Sequence, residues 1–307
     1  MCHNSNAHHY ITYQIMKKFA LTALALIAGL TASAQLLWKV SGNGSKGESF
    51  IFATHHVAPT SVLDSIAGLN DAIKSVETVY GEIDMAEMTS PSAQQVIMTF
   101  AMAPSDSTLT QVLTPSQIDS INTVLAKYTQ GMVKVEQMNV LKPAMVNTQI
   151  AMFQAMVEFP EFNGKEQLDM TVQNRGKEAG KAVKGFETMD EQLGMLMCDP
   201  IMEQVDDLMH TVRTDGTASE QAHQLANAYR TGNLEEIEKI MFAPEVGMSE
   251  DTAERLLFRR NDNWIAKLKG ILPSETVFIA VGAGHLIGEH GLLEQLKKLG
   301  YTVEPVK

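Results

Sequence analysis

The sequence predicts an α/β protein, with a central mostly parallel or mixed sheet built from N- and C-terminal strand segments and a large helical insertion. Three observations predict it. Ser49 to Val57 is a short apolar and aromatic run near the front of the chain. Thr276 to Val281 is a continuous β-branched and apolar run near its back. Between them, from Met85 to about Phe162, strand signals vanish and helical apolar spacing takes over. Short apolar runs bounded by turn residues read as buried strands, and strands separated by helical patterns read as a crossover-connected sheet.

Taken in order, Leu36 to Val40 is a first strand and Ser49 to Val57 a second, joined by a Gly-Asn-Gly-Ser turn inside Gly42 to Gly47. Leu63 to Val76 carries apolar residues at helical spacing, and Thr78 to Ile83 returns to strand character. That is a βαβ unit, whose strands are parallel. Thr114-Pro115-Ser116-Gln117 opens a helix: Thr114 caps, Pro115 suits the first helical position and Gln117 closes a capping box. Leu141 to Phe159 is a further apolar helix, and 85–162 is read as an insertion. Glu166 to Ala179 is a helix, Ala182 to Glu187 a short strand, and Glu191 to Val212, Ser219 to Arg230, Leu234 to Phe242 and about Ser249 to Gly270 are helices. After the Thr276–Val281 strand, Gly291 to Leu299 is helical and Tyr301 to Val306 is a last strand.

The chain of 307 residues is 45% hydrophobic, enough to bury a sizeable core. A formal net charge of -12 argues against a nucleic-acid or anionic-membrane surface, which needs an excess of lysine and arginine. Met1 to Ile15 reads as an unstructured extension, with translation expected from Met16. Residues 16–34 have the layout of a secretory signal peptide: Lys17 and Lys18, the apolar Phe19 to Leu30, then Ala32-Ser33-Ala34 as the cleavage site. The apolar run is too short for a membrane anchor. The expectation is export, to the periplasm or outside the cell, with cleavage near Ala34 and one domain over 35–307. Cys198 is then the sole mature cysteine, expected to be buried, and most of the 19 methionines are expected to fill core.

Candidate chemistry sits at three strand ends. Ala53-Thr54-His55-His56 follows one strand, Glu82-Ile83-Asp84 ends another, and Gly282-Ala283-Gly284-His285 follows the strongest. Ligands of open α/β sheets gather at the carboxyl ends of strands. Gly282 and Gly284 let the backbone turn and leave room for a cofactor beside the imidazole. Period-two alternation puts Glu82 and Asp84 on one side of their strand. Two imidazoles and a carboxylate suit zinc, manganese, cobalt or iron, with the second carboxylate as general base or supporting partner. Other chemistries fare worse. Gly282-x-Gly284 followed by Gly288 misses the dinucleotide spacing, and His285-x-x-x-Glu289-His290 fits neither zinc-protease helix pattern. No Gly-x-Ser-x-Gly elbow is present, and Cys198 has no histidine beside it in sequence.

These pieces together resemble the TraB/GumN family, related to the Tiki metalloproteases and more loosely to the erythromycin-esterase and ChaN-like proteins. The likeness runs from Leu37-Trp38-Lys39-Val40-Ser41 and Ser49 to Val57, through Glu82-Ile83-Asp84, Leu168-Asp169 and Gly180 to Thr188, to Arg260-Asn261 with Trp264. It is strongest over Val277 to Leu286, Gly291 to Leu293 and Gly300 to Val303. The resemblance implies two Gly-x-x-His motifs and an acid, here His56, His285 and Glu82, holding a metal. One motif departs from the pattern, with Ala53 where glycine is usual and His55 as an extra imidazole. The Tiki branch implies manganese- or cobalt-supported peptide cleavage, and so a peptide or protein substrate. Arg260 is implied to hold a substrate carboxylate or an oxyanion, its alternative being a helix-surface ion pair. Asn261 either bonds within the site or caps local backbone, and Asp169 either lines the site or sits on a solvated helix face, the latter being expected. The ChaN-like relatives imply the rival: a non-catalytic protein of the cell envelope that binds haem, metal or peptide. A structural envelope protein that uses its helical region for partners is a third reading.

Overall fold

Six strands form one sheet in the order β4-β3-β5-β2-β1-β6, in a computed structural model that describes residues 35–162, 166–244 and 247–307. The expected leader 1–15 and the expected signal peptide 16–34 lie outside the described residues. The strands are β1 (Leu37–Ser41), β2 (Ser49–Thr54), β3 (Thr78–Gly81), β4 (Ala182–Gly185), β5 (Val277–Gly282) and β6 (Thr302–Pro305). β2, β5, β3 and β4 run parallel, while β1 is antiparallel to both β2 and β6. The sheet is therefore mixed and mostly parallel, as expected.

Burial explains which runs were easy to read. The inner strands β2, β3 and β5 are buried on both faces almost throughout. A strand covered on both faces needs a continuous apolar run rather than alternation. Edge strands β4 and β6 alternate between exposed and more buried positions.

The helices are α1 (Val62–Ser65), α2 (Leu69–Ser75), α3 (Pro91–Ala101), α4 (Leu109–Val112), α5 (Pro115–Thr129), α6 (Pro143–Glu158), α7 (Leu168–Glu178) and α8 (Met189–Met197). They continue as α9 (Ile201–Arg213), α10 (Asp215–Arg230), α11 (Leu234–Met241), α12 (Glu250–Ala253), α13 (Arg259–Ile271) and α14 (Leu292–Lys298). The expected capping box is present: Thr114 N–H donates to Gln117 Oε1 at 2.8 Å, and Gln117 N–H to Thr114 Oγ1 at 3.3 Å.

Three expected helices are interrupted. Leu63–Val76 divides before Leu69, where Gly68 takes a left-handed φ of 73°. Glu191–Val212 divides at Pro200, which lacks the N–H a continuous helix requires. Ser249–Gly270 contains a π-helical stretch, Glu254–Phe258, just before Arg260. Such bulges shift the phase of following side chains and recur at functional sites.

One hydrophobic cluster surrounds the sheet, with Phe52, Ile51, Phe278 and Trp264 fully buried in it. A second lies among the helices, where Ile121, Leu125, Val146 and Ile150 meet Val205 and Leu208 of α9. The helices of 85–162 thus share their core with one that follows later in the chain. Cys198 is exposed, not buried as expected, because it follows the last turn of α8 at the Pro200 break.

Candidate active site

The parallel strands aim their carboxyl ends at one edge of the sheet, and register fixes how the ends align. Thr54 pairs with Gly282, Gly81 with Ala280, and Gly81 with Gly185. His56 lies two residues beyond β2, Glu82 one beyond β3, His285 three beyond β5 and Glu187 two beyond β4. Each parallel strand thus delivers a chemically active side chain to the same edge.

His285 is 3% exposed and its protonation is set by its neighbours. Its Nδ1 lies 2.7 Å from Asn261 Oδ1. The Asn261 amide is oriented by Nδ2–H donation to the carbonyls of His285 (3.2 Å) and His290 (2.8 Å). Asn261 Oδ1 only accepts, so His285 Nδ1 carries the proton and Nε2 the lone pair. That lone pair accepts from Arg260 Nη1 at 3.0 Å. Burial, with Arg260 and His56 opposing a second positive charge, brings the imidazole down to about 3 against the pull of Glu82. His285 is neutral at physiological pH.

Glu82 is ionised. Its Oε1 accepts from Gly282 N–H at 3.0 Å; its Oε2 accepts from Arg260 Nη2 at 2.6 Å and Gln192 Nε2 at 3.0 Å. Burial alone would raise it, but His285, Arg260 and His56 outweigh burial and hold it well below the usual carboxylate range. With His285 neutral, Arg260 is the cation hydrogen-bonded to Glu82. A Cβ at Gly282 would lie 3.3 Å from Glu82 Oε1 and press on it. Gly284, expected beside the imidazole, instead packs toward Met241 and Leu257.

Arg260 is buried with all five N–H bonds engaged. Nε donates to Glu187, Nη1 to Leu256 O and His285 Nε2, and Nη2 to Glu82 and Glu187. A guanidinium has five donors, so none remains for a substrate carboxylate in this arrangement. Its role here is to position Glu82 and His285, which corrects both the substrate-clamp and the helix-surface expectations. Glu187 also accepts from Trp264 Nε1 at 2.9 Å.

His56 approaches from the opposite side. Its side chain is 63% exposed, and its Nδ1 lies 3.1 Å from Asp169 Oδ2. Asp169 Oδ1 accepts from Thr54 Oγ1 at 2.7 Å. Asp169 is 6% exposed, not solvated as expected, because α7 begins against the end of β2. The Asp169 carboxylate raises His56 to about 9, a gain that solvent at the open edge of the ring screens. Asp169 takes Nδ1, which leaves Nε2 as the nitrogen for a ligand. His55 is a wedge, its ring centroid 4.9 Å from Phe159 and 5.2 Å from Tyr229. Burial first, then His56, lowers it to about 4, and its buried Nδ1 has no hydrogen-bond partner. Ala53 sits inside β2, with its carbonyl accepting from Tyr229 OH at 3.0 Å. A regular strand residue needs no glycine there.

Asp84 is apart from this network. Pairing of β3 stops at Gly81, so alternation does not carry Asp84 to the side of Glu82; it accepts from Ala86 N–H and lies 3.6 Å from Lys177 Nζ. His56 and Glu82 share a cavity of about 180 Å³. Sequence reasoning missed Glu187, Gln192 and the Thr54–Asp169 pair. The strand-end rule that selected Glu82 would also have selected Glu187.

Residues 36–305 match the TraB/PrgY/gumN family. The chain belongs to that family. Among curated relatives, this TraB/PrgY/gumN chain is 35% identical to the metalloprotease TIKI2 of Danio rerio over 54 residues, 17% of this chain and 10% of the relative. It is 40% identical to the metalloprotease TIKI homolog of Nematostella vectensis over 55 residues, 17% of this chain and 12% of the relative. The chain thus aligns with only about a tenth of each relative's length. No solved structure matches it.

The family member's residues suit a divalent cation by donor type, two imidazoles and a carboxylate. Each histidine has its Nδ1 bonded to a side-chain oxygen, the arrangement that fixes a metal-binding imidazole. Within the Arg260 network two carboxylates, Glu82 and Glu187, face one guanidinium. Among the described residues, however, no three His, Cys, Asp or Glu side chains already converge as a metal cluster. Arg260 stands as the cation between Glu82 and His285, whose Oε1 and Nε2 are 3.7 Å apart. A metal ion there competes with it.

Proposed function

We propose that this chain is an exported metal-dependent hydrolase that cleaves peptide bonds. The observation that carries this reading is the pair of oriented imidazoles flanking an ionised Glu82 at the carboxyl edge of the sheet. The family membership and the partial likeness to two metalloproteases support it.

His56, Glu82 and His285 would hold the ion: manganese or cobalt from the Tiki resemblance, zinc from donor type. When bound, it supplies Lewis acidity and a water of lowered pKa. The chain's own groups do the rest. Asp169 and Asn261 hold the two imidazoles in the required tautomers. Arg260, Gln192 and Gly282 keep Glu82 charged and in place. His56 stands at the solvent side, with Nδ1 held by Asp169 and Nε2 as the nitrogen that would face the ion. Asp84 has no part in this reading.

The test is metal content and manganese-supported peptide cleavage in wild type and His56→Ala. His56 is exposed, so the substitution leaves the core intact. The variant is expected to lose both metal and cleavage; unchanged values in both would overturn the assignment. Export is checked by sequencing the mature N-terminus, expected near Gln35.

One observation favours the non-catalytic reading: Arg260 already saturates Glu82 and His285. A peptide-binding protein could retain such a centre. The haem variant of that reading would need more room than the cavity of about 180 Å³ beside His56 and Glu82. Haem titration followed by absorbance separates the two.

A further inference from the structure

We propose that the cavity beside His56 and Glu82 is a subsite for one apolar side chain of a peptide. This names the substrate class of the hydrolase reading and rests on it. The cavity has two unlike walls. His56 and Glu82 stand on the sheet side; Ile83, Met85 and Met88 come from the segment leaving β3, and Met152 comes from α6. The apolar wall is therefore built partly by the helical region, against chemistry supplied by the sheet.

Size and charge select the occupant. About 180 Å³ is small for a whole free ligand and suits one side chain. The two carboxylates and Gln173 on the other wall are already engaged, while His56 Nε2 stays open to a ligand. Glu82 accepts from Gly282, Arg260 and Gln192, and Asp169 accepts from Thr54 and bonds His56. Gln173 uses its amide on Ile83 O and Met85 N–H. A lysine side chain gains no unengaged carboxylate there, and an acidic one meets two carboxylates. The wall of Ile83, Met85, Met88 and Met152 favours an apolar guest. Three unbranched thioether side chains adapt to guests of different outline, so leucine, methionine and phenylalanine are accepted with little discrimination among them.

The test uses acetyl-Gly-Xaa-Gly-amide peptides with Xaa as Gly, Asp, Lys, Leu, Met or Phe. Binding to the metal-free full chain is followed by NMR titration, and cleavage is followed separately with manganese. Leu, Met and Phe peptides are expected to bind roughly tenfold or more tightly than Gly, Asp and Lys peptides, the scale of hydrophobic-pocket discrimination. Met88→Lys should invert the order in favour of Asp, and Met152→Ala should shift it toward Phe. No binding, equal binding of all six, or a charged preference in wild type would overturn the subsite. An apolar preference without any cleavage would sink the hydrolase reading and leave the subsite standing.

Discussion

Replacing Arg260 with methionine removes the cation around which the buried network is organised. The variant keeps an unbranched side chain but leaves Glu82 and Glu187 without their guanidinium, and Leu256 O and His285 Nε2 without donors. Removing one partner of a buried ion pair costs about 3–5 kcal/mol, because the orphaned charge stays behind. In a domain of this size, each kcal/mol moves the melting temperature by roughly 2–4 °C, so a fall of roughly 6–20 °C is expected. Urea unfolding gives the free energy directly. The second arm of the experiment adds manganese. If a metal ion takes the same cationic place, it should restore stability, by about 2.7 kcal/mol at one hundred times its dissociation constant. Wild-type stability in Arg260→Met would refute the account of Arg260 as the organising charge. A destabilised variant that no divalent ion rescues would refute the idea that metal and guanidinium compete for one place.

Three further outcomes are expected. Asp169→Asn should bring the His56 titration, read by NMR, from about 9 back toward its ordinary value, and weaken metal affinity or activity by roughly 10–100-fold; an unmoved titration would show that Asp169 does not control the ring. Both buried histidines, at about 4 for His55 and about 3 for His285, lie below their ordinary 6.5. Protonation therefore favours the unfolded chain, so stability is full above pH 6.5 and falls as pH drops toward 4 and then 3, with His55 accounting for up to about 3 kcal/mol; His55→Phe should flatten the upper part of that loss in urea titrations at pH 4–6.5. Gly282→Ala should lower activity with little change in melting temperature, because the added methyl presses on Glu82 Oε1; full activity would mean that the Gly282–Glu82 contact is not needed.

The parts of this architecture that were legible in the chain are those with continuous apolar runs. β2 and β5 are buried on both faces, so their sequences are unambiguous, and the histidines after them follow directly. Glu187 was passed over because it follows β4, a short edge strand with a polar alternating pattern. Asp169 stands in the first turn of a helix, where a carboxylate ordinarily faces water; only the packing of α7 against the end of β2 buries it. Asp84 was assigned to the site because two residues of strand were expected that β3 does not have. The saturation of Arg260 could not be read at all, since its acceptors come from residues 82, 187, 256 and 285.

The position of β5 in the sheet sets a timetable for the molecule. It lies between β3 and β2, yet it follows both by about two hundred residues. Until it emerges, β4–β3 and β2–β1 are two ribbons with a missing middle, and His56 and Glu82 have no common floor. Closing such distant pairings is slow, because chain entropy is lost before contacts reward it. The candidate site is therefore complete only when β5, which lies far along the chain from β2 and β3, is paired between them.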